Sequence, residues 1–119
     1  MIKNLAIFDM KYTYQKSKYG SVKQAYGGRN YHSTKEANYA FELDMRIKAK
    51  EIKSYDNQYK IELYINEIHI CNYFIDFRVE MTDGSYEYHE VKGFETDIWR
   101  LKWKLTQAIF PDYKLVLIK

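Results

Sequence analysis

Apolar positions along the chain change period several times, and each change marks an element. Glu36, Ala40, Leu43 and Ile47 recur at steps of four, three and four, which places all of them on one face of a helix running to about Lys50. Ser33-Thr34-Lys35-Glu36 opens it in the form of a capping box, with Ser33 at the N-cap and Glu36 at the third helical position. Residues 52–63 read as extended, alternating at Tyr59, Ile61 and Leu63, and Ile65-Asn66-Glu67-Ile68 connects to the next strand. That strand includes Ile70 and carries Tyr73, Ile75, Phe77 and Val79 on one face, with Phe74, Asp76, Arg78 and Glu80 on the other. A further strand reaches Glu90-Val91-Lys92 and ends at Gly93. Thr96 then caps a second helix whose expected buried stripe is Ile98, Leu101, Leu105, Ala108 and Ile109, with Pro111 as its stop. Its remaining surface carries Trp99 and Trp103 beside Arg100, Lys102 and Lys104, a ridge suited to backbone contact with DNA, to a dimer interface or to covering the sheet edge. Residues 113–118 read as a last strand.

Ahead of the first helix, Val22–Tyr26 and residues 29–32 flank Gly27-Gly28, which predicts a two-residue hairpin and a short β-ribbon. Residues 1–21 have no clear period and read as a flexible basic arm, in which Tyr12, Tyr14 and Tyr19 stand among Lys11, Lys16 and Lys18. The order of ribbon, helix, strands, helix and strand predicts an α/β fold: a mixed central sheet flanked by helices. A length of 119 residues fits a single domain.

Composition narrows the class. At 46% hydrophobic and 29% charged residues the chain has the balance of a soluble globular protein. No apolar run approaches the ~20 residues of a membrane helix, and Leu5-Ala6-Ile7-Phe8 is too short for a secretion signal. The single cysteine, Cys71, excludes an intramolecular disulfide and reads as a small buried side chain. A cytosolic location is therefore expected. The net charge of +3 conceals a segregation. Residues 10–35 hold six Lys or Arg and no acid, residues 76–97 hold seven acids against Arg78 and Lys92, and residues 98–119 hold five bases against Asp112. An acidic centre between basic flanks is the pattern of a metal site inside a polyanion-binding surface. A merely solvated, charged exterior produces the same runs. The thirteen tyrosines decide nothing, since tyrosine also favours strands.

The candidate chemistry lies at Asp76, Glu90 and Lys92, on two strands joined by Thr82-Asp83-Gly84-Ser85. A two-residue loop, Asp83-Gly84, pairs Asp76 with Val91 and sends Glu90 to the opposite face. A three-residue loop, Thr82-Asp83-Gly84, pairs Met81 with Ser85 and Asp76 with Glu90, and puts Lys92 on the same face. In that register His89 falls opposite Phe77, away from the acids, and neither it nor His69 reads as a ligand. Two adjacent carboxylates resist joint ionisation, and a divalent cation with hard oxygen ligands, Mg²⁺ above all, removes the difficulty. The lysine then serves an attacking water or the charge developing on a phosphate.

With Asp76, thirteen intervening residues and Glu90-x-Lys92, the chain resembles the PD-(D/E)xK nuclease superfamily. Tyr31-His32-Ser33-x-x-Glu36-Ala37, Asn72-Tyr73-x-Ile75-Asp76-Phe77, Glu90-Val91-Lys92-Gly93 and Trp99-x-Leu101-Lys102, in that order, are similar to its small phage-encoded endonucleases. The likeness runs from about Tyr12 to the end; Ile75 stands where the superfamily often has proline. The resemblance implies a restriction-endonuclease-like α-β-β-β-α-β core. It implies Mg²⁺, replaceable by Mn²⁺, held by Asp76, Glu90 and the main-chain carbonyl of Val91, with Lys92 orienting water. It also implies Glu36 as a further acid aimed at the site, directly or through water, beside its capping role. Gln58 stands where related small nucleases often carry a glutamine.

The expected activity is metal-dependent endonucleolytic cleavage of DNA leaving 5′-phosphates. Branched or four-way DNA, which calls for a homodimer, competes with simple nicking during phage DNA processing in the host cytosol. Expected DNA contacts are Lys23, Arg29, Lys35, Arg100, Lys102 and Lys104, and no membrane or small-molecule cofactor is expected. Two other classes fit the same residues: a non-catalytic nucleic-acid-binding protein, and a structural protein that docks through the tryptophan helix.

Overall fold

The computed structural model describes Gln15–Lys16, Val22–Tyr26 and residues 29–119, with side chains from Tyr31 onward. Two short strands, β1 (Gln15–Lys16) and β2 (Val22–Tyr26), pair antiparallel, and β2 pairs in turn with β3 (Arg29–Tyr31) through Tyr26 opposite Arg29. The ribbon expected from Gly27-Gly28 is thus present. Gln15 and Lys16 pair with it; the rest of residues 1–21, with Tyr12, Tyr14 and Tyr19, lies outside the described residues.

Helix α1 (Thr34–Lys48) begins where the sequence calls for it, with Ser33 Oγ accepting the Glu36 N–H at 3.1 Å. It buries Glu36, Ala40 and Leu43 as its spacing predicts. Strands β4 (Ile52–Ile65) and β5 (Ile68–Met81) then form a long antiparallel hairpin turned by Asn66 and Glu67, both at positive φ. Strand β6 (Tyr86–Val91) pairs antiparallel with β5, and β7 (Lys114–Ile118) pairs parallel with β6. Between them runs α2 (Asp97–Ile109), capped by Thr96 Oγ1 accepting the Trp99 N–H at 3.1 Å. The result is an α/β fold with a mixed four-stranded sheet in the order β4-β5-β6-β7. Among the described residues no helix is long and apolar enough to cross a membrane.

The helices lie on opposite faces of this sheet. Val91 and Ile118 pack with Tyr39, Ala40 and Leu43 of α1. Tyr88, Leu115 and Leu117 pack with Trp99 and Trp103 of α2. Along β5 the expected single face is divided: Phe77 and Val79 belong to the α1 core, whereas Tyr73 and Ile75 belong to the α2 core. The same inversion occurs in β4, where Tyr55 packs toward α1 and Tyr59, Ile61 and Leu63 toward α2. Asn57 opposes Phe77 and Tyr59 opposes Ile75, so both strands slip their alternation at one rung, Gln58 and Asp76. Gln58 absorbs the slip at φ 53°, an unusual backbone state for a non-glycine residue inside a strand. The strict two-residue period therefore fails at the rung that carries the candidate acid.

Helix α2 also departs from expectation. Trp99 is only 7% exposed and Trp103 packs against the sheet, while Ile98 and Leu101 are 66% and 57% exposed and Ala108 is exposed. Leu105 and Ile109 do face the core. The larger apolar surface of the tryptophans wins the buried side, because nearly every α2 face offers some apolar residue. Cys71 is partly rather than fully buried.

Candidate active site

Thr82-Asp83-Gly84 is the loop between β5 and β6. Met81 N–H donates to the Ser85 carbonyl at 2.8 Å, and Gly84, at φ 90°, donates back to the Met81 carbonyl at 3.0 Å. Asp83 Oδ1 accepts from Ser85 N–H at 2.9 Å and steadies the turn. This is the three-residue register, and it places His89 opposite Phe77. The main-chain ladder between the two strands ends at that pair. One residue further, side chains take over. Glu90 Oε1 accepts the Asp76 N–H at 3.2 Å, and Asp76 Oδ2 accepts the Val91 N–H at 2.8 Å. Both acids are buried, each satisfying a backbone donor that the parting strands would otherwise leave unpaired.

Two further acid contacts complete the cluster. Glu36 reaches in from the first turn of α1, and Gln58 Nε2 bridges the two elements, donating to Glu36 Oε1 at 3.1 Å and to Asp76 Oδ1 at 3.3 Å. Glu36 also accepts from the His32 main chain, one residue ahead of the N-cap Ser33. Lys92 Nζ stands 3.8 Å from Glu90 Oε2 and 5.3 Å from the Trp99 ring centroid. Gln58, Asp76, Glu90, Lys92, Trp99 and Lys102 line an open cleft of about 340 Å³, and Glu36 stands behind Gln58 outside that lining.

The electrostatics follow from burial. Desolvation and then the Asp76 charge push Glu36 up to about 8. Desolvation, opposed by the Val91 N–H, pushes Asp76 up to about 6. Desolvation and the Asp76 charge push Glu90 up to about 7. Burial thus makes joint ionisation of the three acids costly, a cost that a divalent cation would relieve.

The donor set is all oxygen, which fits a hard divalent ion. Among the described residues no three His, Cys, Asp or Glu side chains form a ready-made cage. The hydrogen bonds explain the arrangement: the Gln58 amide lies between Glu36 and Asp76, and one oxygen of each strand acid faces a backbone N–H. Mg²⁺ ordinarily takes only one or two carboxylates and keeps several waters, so a cage of three is not required. The residues present fit such an ion.

Of the expected DNA contacts, Lys102 lines the cleft, and Lys35 and Lys104 are exposed outside its lining. Arg100 is engaged by Glu95 and Asp97 at 3.3 and 3.2 Å. The side chains of Lys23 and Arg29 lie outside the described residues. Sequence reasoning assigned Tyr73 to a packing face and Trp99 to a DNA-contacting or edge-covering ridge, and missed that both line the cleft beside the acids. His89 is buried as a structural group: ionised Glu87 can only accept from Nε2, so Nδ1 accepts the Tyr39 hydroxyl at 2.6 Å.

An α/β chain with a mixed sheet and an acid cluster at a strand break is the class these features define. Residues 16–119 match the family described as a protein of unknown function, DUF1064, and the chain belongs to that family. Neither the curated proteins nor the solved structures give a match.

Proposed function

We propose that the protein is a Mg²⁺-dependent endonuclease that hydrolyses phosphodiester bonds in DNA, with Mn²⁺ able to replace Mg²⁺. The observation that carries this reading is the pairing of two buried carboxylates, Asp76 and Glu90, across parting strands with the Lys92 ammonium 3.8 Å from one of them. The resemblance of the same residues to the PD-(D/E)xK nucleases, and with it a restriction-endonuclease-like order of elements, supports it further.

When bound, the metal ion supplies charge neutralisation at the phosphate and acidifies water. Asp76 and Glu90, with the Val91 carbonyl, would hold it, and Glu36 would complete the site directly or through water. Lys92 orients the attacking water and receives the charge that grows on the phosphate. Lys102 holds a neighbouring phosphate at the cleft wall. The expected products carry 5′-phosphates. Branched or four-way DNA, cut by a homodimer that presents two such clefts, is the favoured substrate over random nicking.

Digestion of linear, single-stranded, flapped and four-way DNA with Mg²⁺ or with EDTA tests the reading. Cutting that needs the metal and is lost in Asp76→Ala and Lys92→Ala, while DNA binding persists, supports it. Salt-sensitive binding without cutting by the wild type would make the protein a nucleic-acid binder only.

A further inference from the structure

Trp99 and Tyr73 form a hydrogen-bonded pair in the cleft that both line with Glu90. Trp99 Nε1–H donates to the Tyr73 hydroxyl at 2.9 Å, in buried surroundings. An indole N–H can only donate, so it fills an acceptor position of the hydroxyl and leaves the hydroxyl proton free to point elsewhere. Glu90 is the acid beside it: both residues line the cleft, and burial and then the Glu90 charge raise the Tyr73 phenol. Trp99 has a second contact with the site: the Lys92 ammonium lies over its ring, 5.3 Å from the centroid.

Packing alone does not require these contacts. A buried phenylalanine at position 73 would pack without a hydroxyl, whereas Tyr73 and Trp99 both carry a polar group and the two groups meet. Tyr88, also buried in that core, makes the contrast: it stacks on Tyr113, ring centroids 4.4 Å apart, and is not part of the cleft lining.

We infer that Tyr73 and Trp99 are positioning residues of the acid cluster: Trp99 holds the Tyr73 hydroxyl against Glu90 and supports Lys92 with its ring, so one α2 side chain sets the ligand acid and the ammonium together. The inference rests on the proposed metal site. Partners that orient a ligand in this way typically change metal affinity by about 10–100-fold when removed. It also gives the inward turn of Trp99 a purpose beyond packing.

The test is calorimetric titration of Mn²⁺ into the DNA-free protein, with thermal unfolding of every variant alongside. Tyr73→Phe is expected to weaken Mn²⁺ binding about 10-fold or more, and Tyr88→Phe to leave it unchanged. Trp99→Phe is expected to weaken Mn²⁺ binding less and to lower kcat for DNA cleavage at saturating metal without a matching rise in KM. Should Tyr73→Phe fail to fold, Trp99→Phe carries the test. Wild-type Mn²⁺ affinity in a folded Tyr73→Phe, or wild-type affinity and kcat in Trp99→Phe, overturns the inference and leaves the metal site standing. No Mn²⁺ uptake by the wild type overturns both.

Discussion

Asp76 and Glu90 each hold the other's strand. Glu90 takes the Asp76 N–H at 3.2 Å, and Asp76 takes the N–H of Val91, the residue after Glu90, at 2.8 Å. The two carboxylates therefore replace the main-chain rungs that β5 and β6 abandon after Phe77 and His89. A pair that closes a sheet cannot drift apart when a ligand leaves, and this keeps the acids in place without a metal.

Asp76→Asn separates the two tasks of that pair. The amide oxygen can still accept from Val91, and a buried group that burial makes costly to ionise is removed. Denaturant unfolding in EDTA at pH 8 should find the variant at least as stable as the wild type. Its cleavage rate should fall by on the order of 10²–10³-fold, the size seen when one preorganised electrostatic partner is removed.

Lys92 is 24% exposed, and its link to Glu90 is worth no more than about 1 kcal/mol to the fold. Lys92→Ala should keep its melting behaviour and its DNA affinity within a few-fold, yet lose cleavage. Lys92→Arg should not restore it, because a planar guanidinium does not present a compact charge over Trp99. Gel-shift and nicking assays on the same preparations check both statements.

Metal-free stability should depend on pH in a stated direction. Glu36 and Glu90 have folded pKa values near 8 and 7, above their ordinary 4.5, so the folded state binds more protons than the unfolded one. The stability they contribute is complete below about pH 4.5 and is lost as pH rises through 7 and 8. His89, which burial holds below its ordinary 6.5, works the other way, but only below that pH. Urea unfolding in EDTA should therefore show stability falling from pH 7 to 8.5. Glu36→Gln should flatten the fall, and excess Mg²⁺ should abolish it by replacing the protons.

On the other face of the sheet, Tyr39 donates to His89 at 2.6 Å in full burial. Tyr39→Phe leaves Nδ1 without its donor and should cost about 1–3 kcal/mol in chemical denaturation. Cleavage per folded molecule should not change, since neither residue borders the cleft.

The turn and the caps were legible because their signals are local. Gly84 marks the turn, and Ser33 and Thr96 each satisfy an N–H within three residues. The glycine suits both the two- and the three-residue loop, and the Met81–Ser85 pairing selects the register that brings Asp76 opposite Glu90. The slip at Gln58 and Asp76 was not legible: neither residue is a glycine or proline, and Tyr73, Ile75, Phe77 and Val79 continue the apolar alternation straight through it. The facing of α2 was hidden for another reason. Ile98 and Leu101 compete with Trp99 and Trp103 for the core on periodicity, and only the shape of the sheet surface around Tyr73 decides between them. The bridge from Gln58 to Glu36 and Asp76 joins three elements distant in sequence, so its bonding could not be read from spacing.

The central claim is that a divalent ion sits between Asp76 and Glu90. An anomalous difference map from crystals grown in saturating Mn²⁺ tests it most directly. The account predicts a peak about 2.0–2.2 Å from a carboxylate oxygen of each acid, with Lys92 alongside. A map with no peak there, or with Mn²⁺ held only elsewhere on the chain, would contradict it.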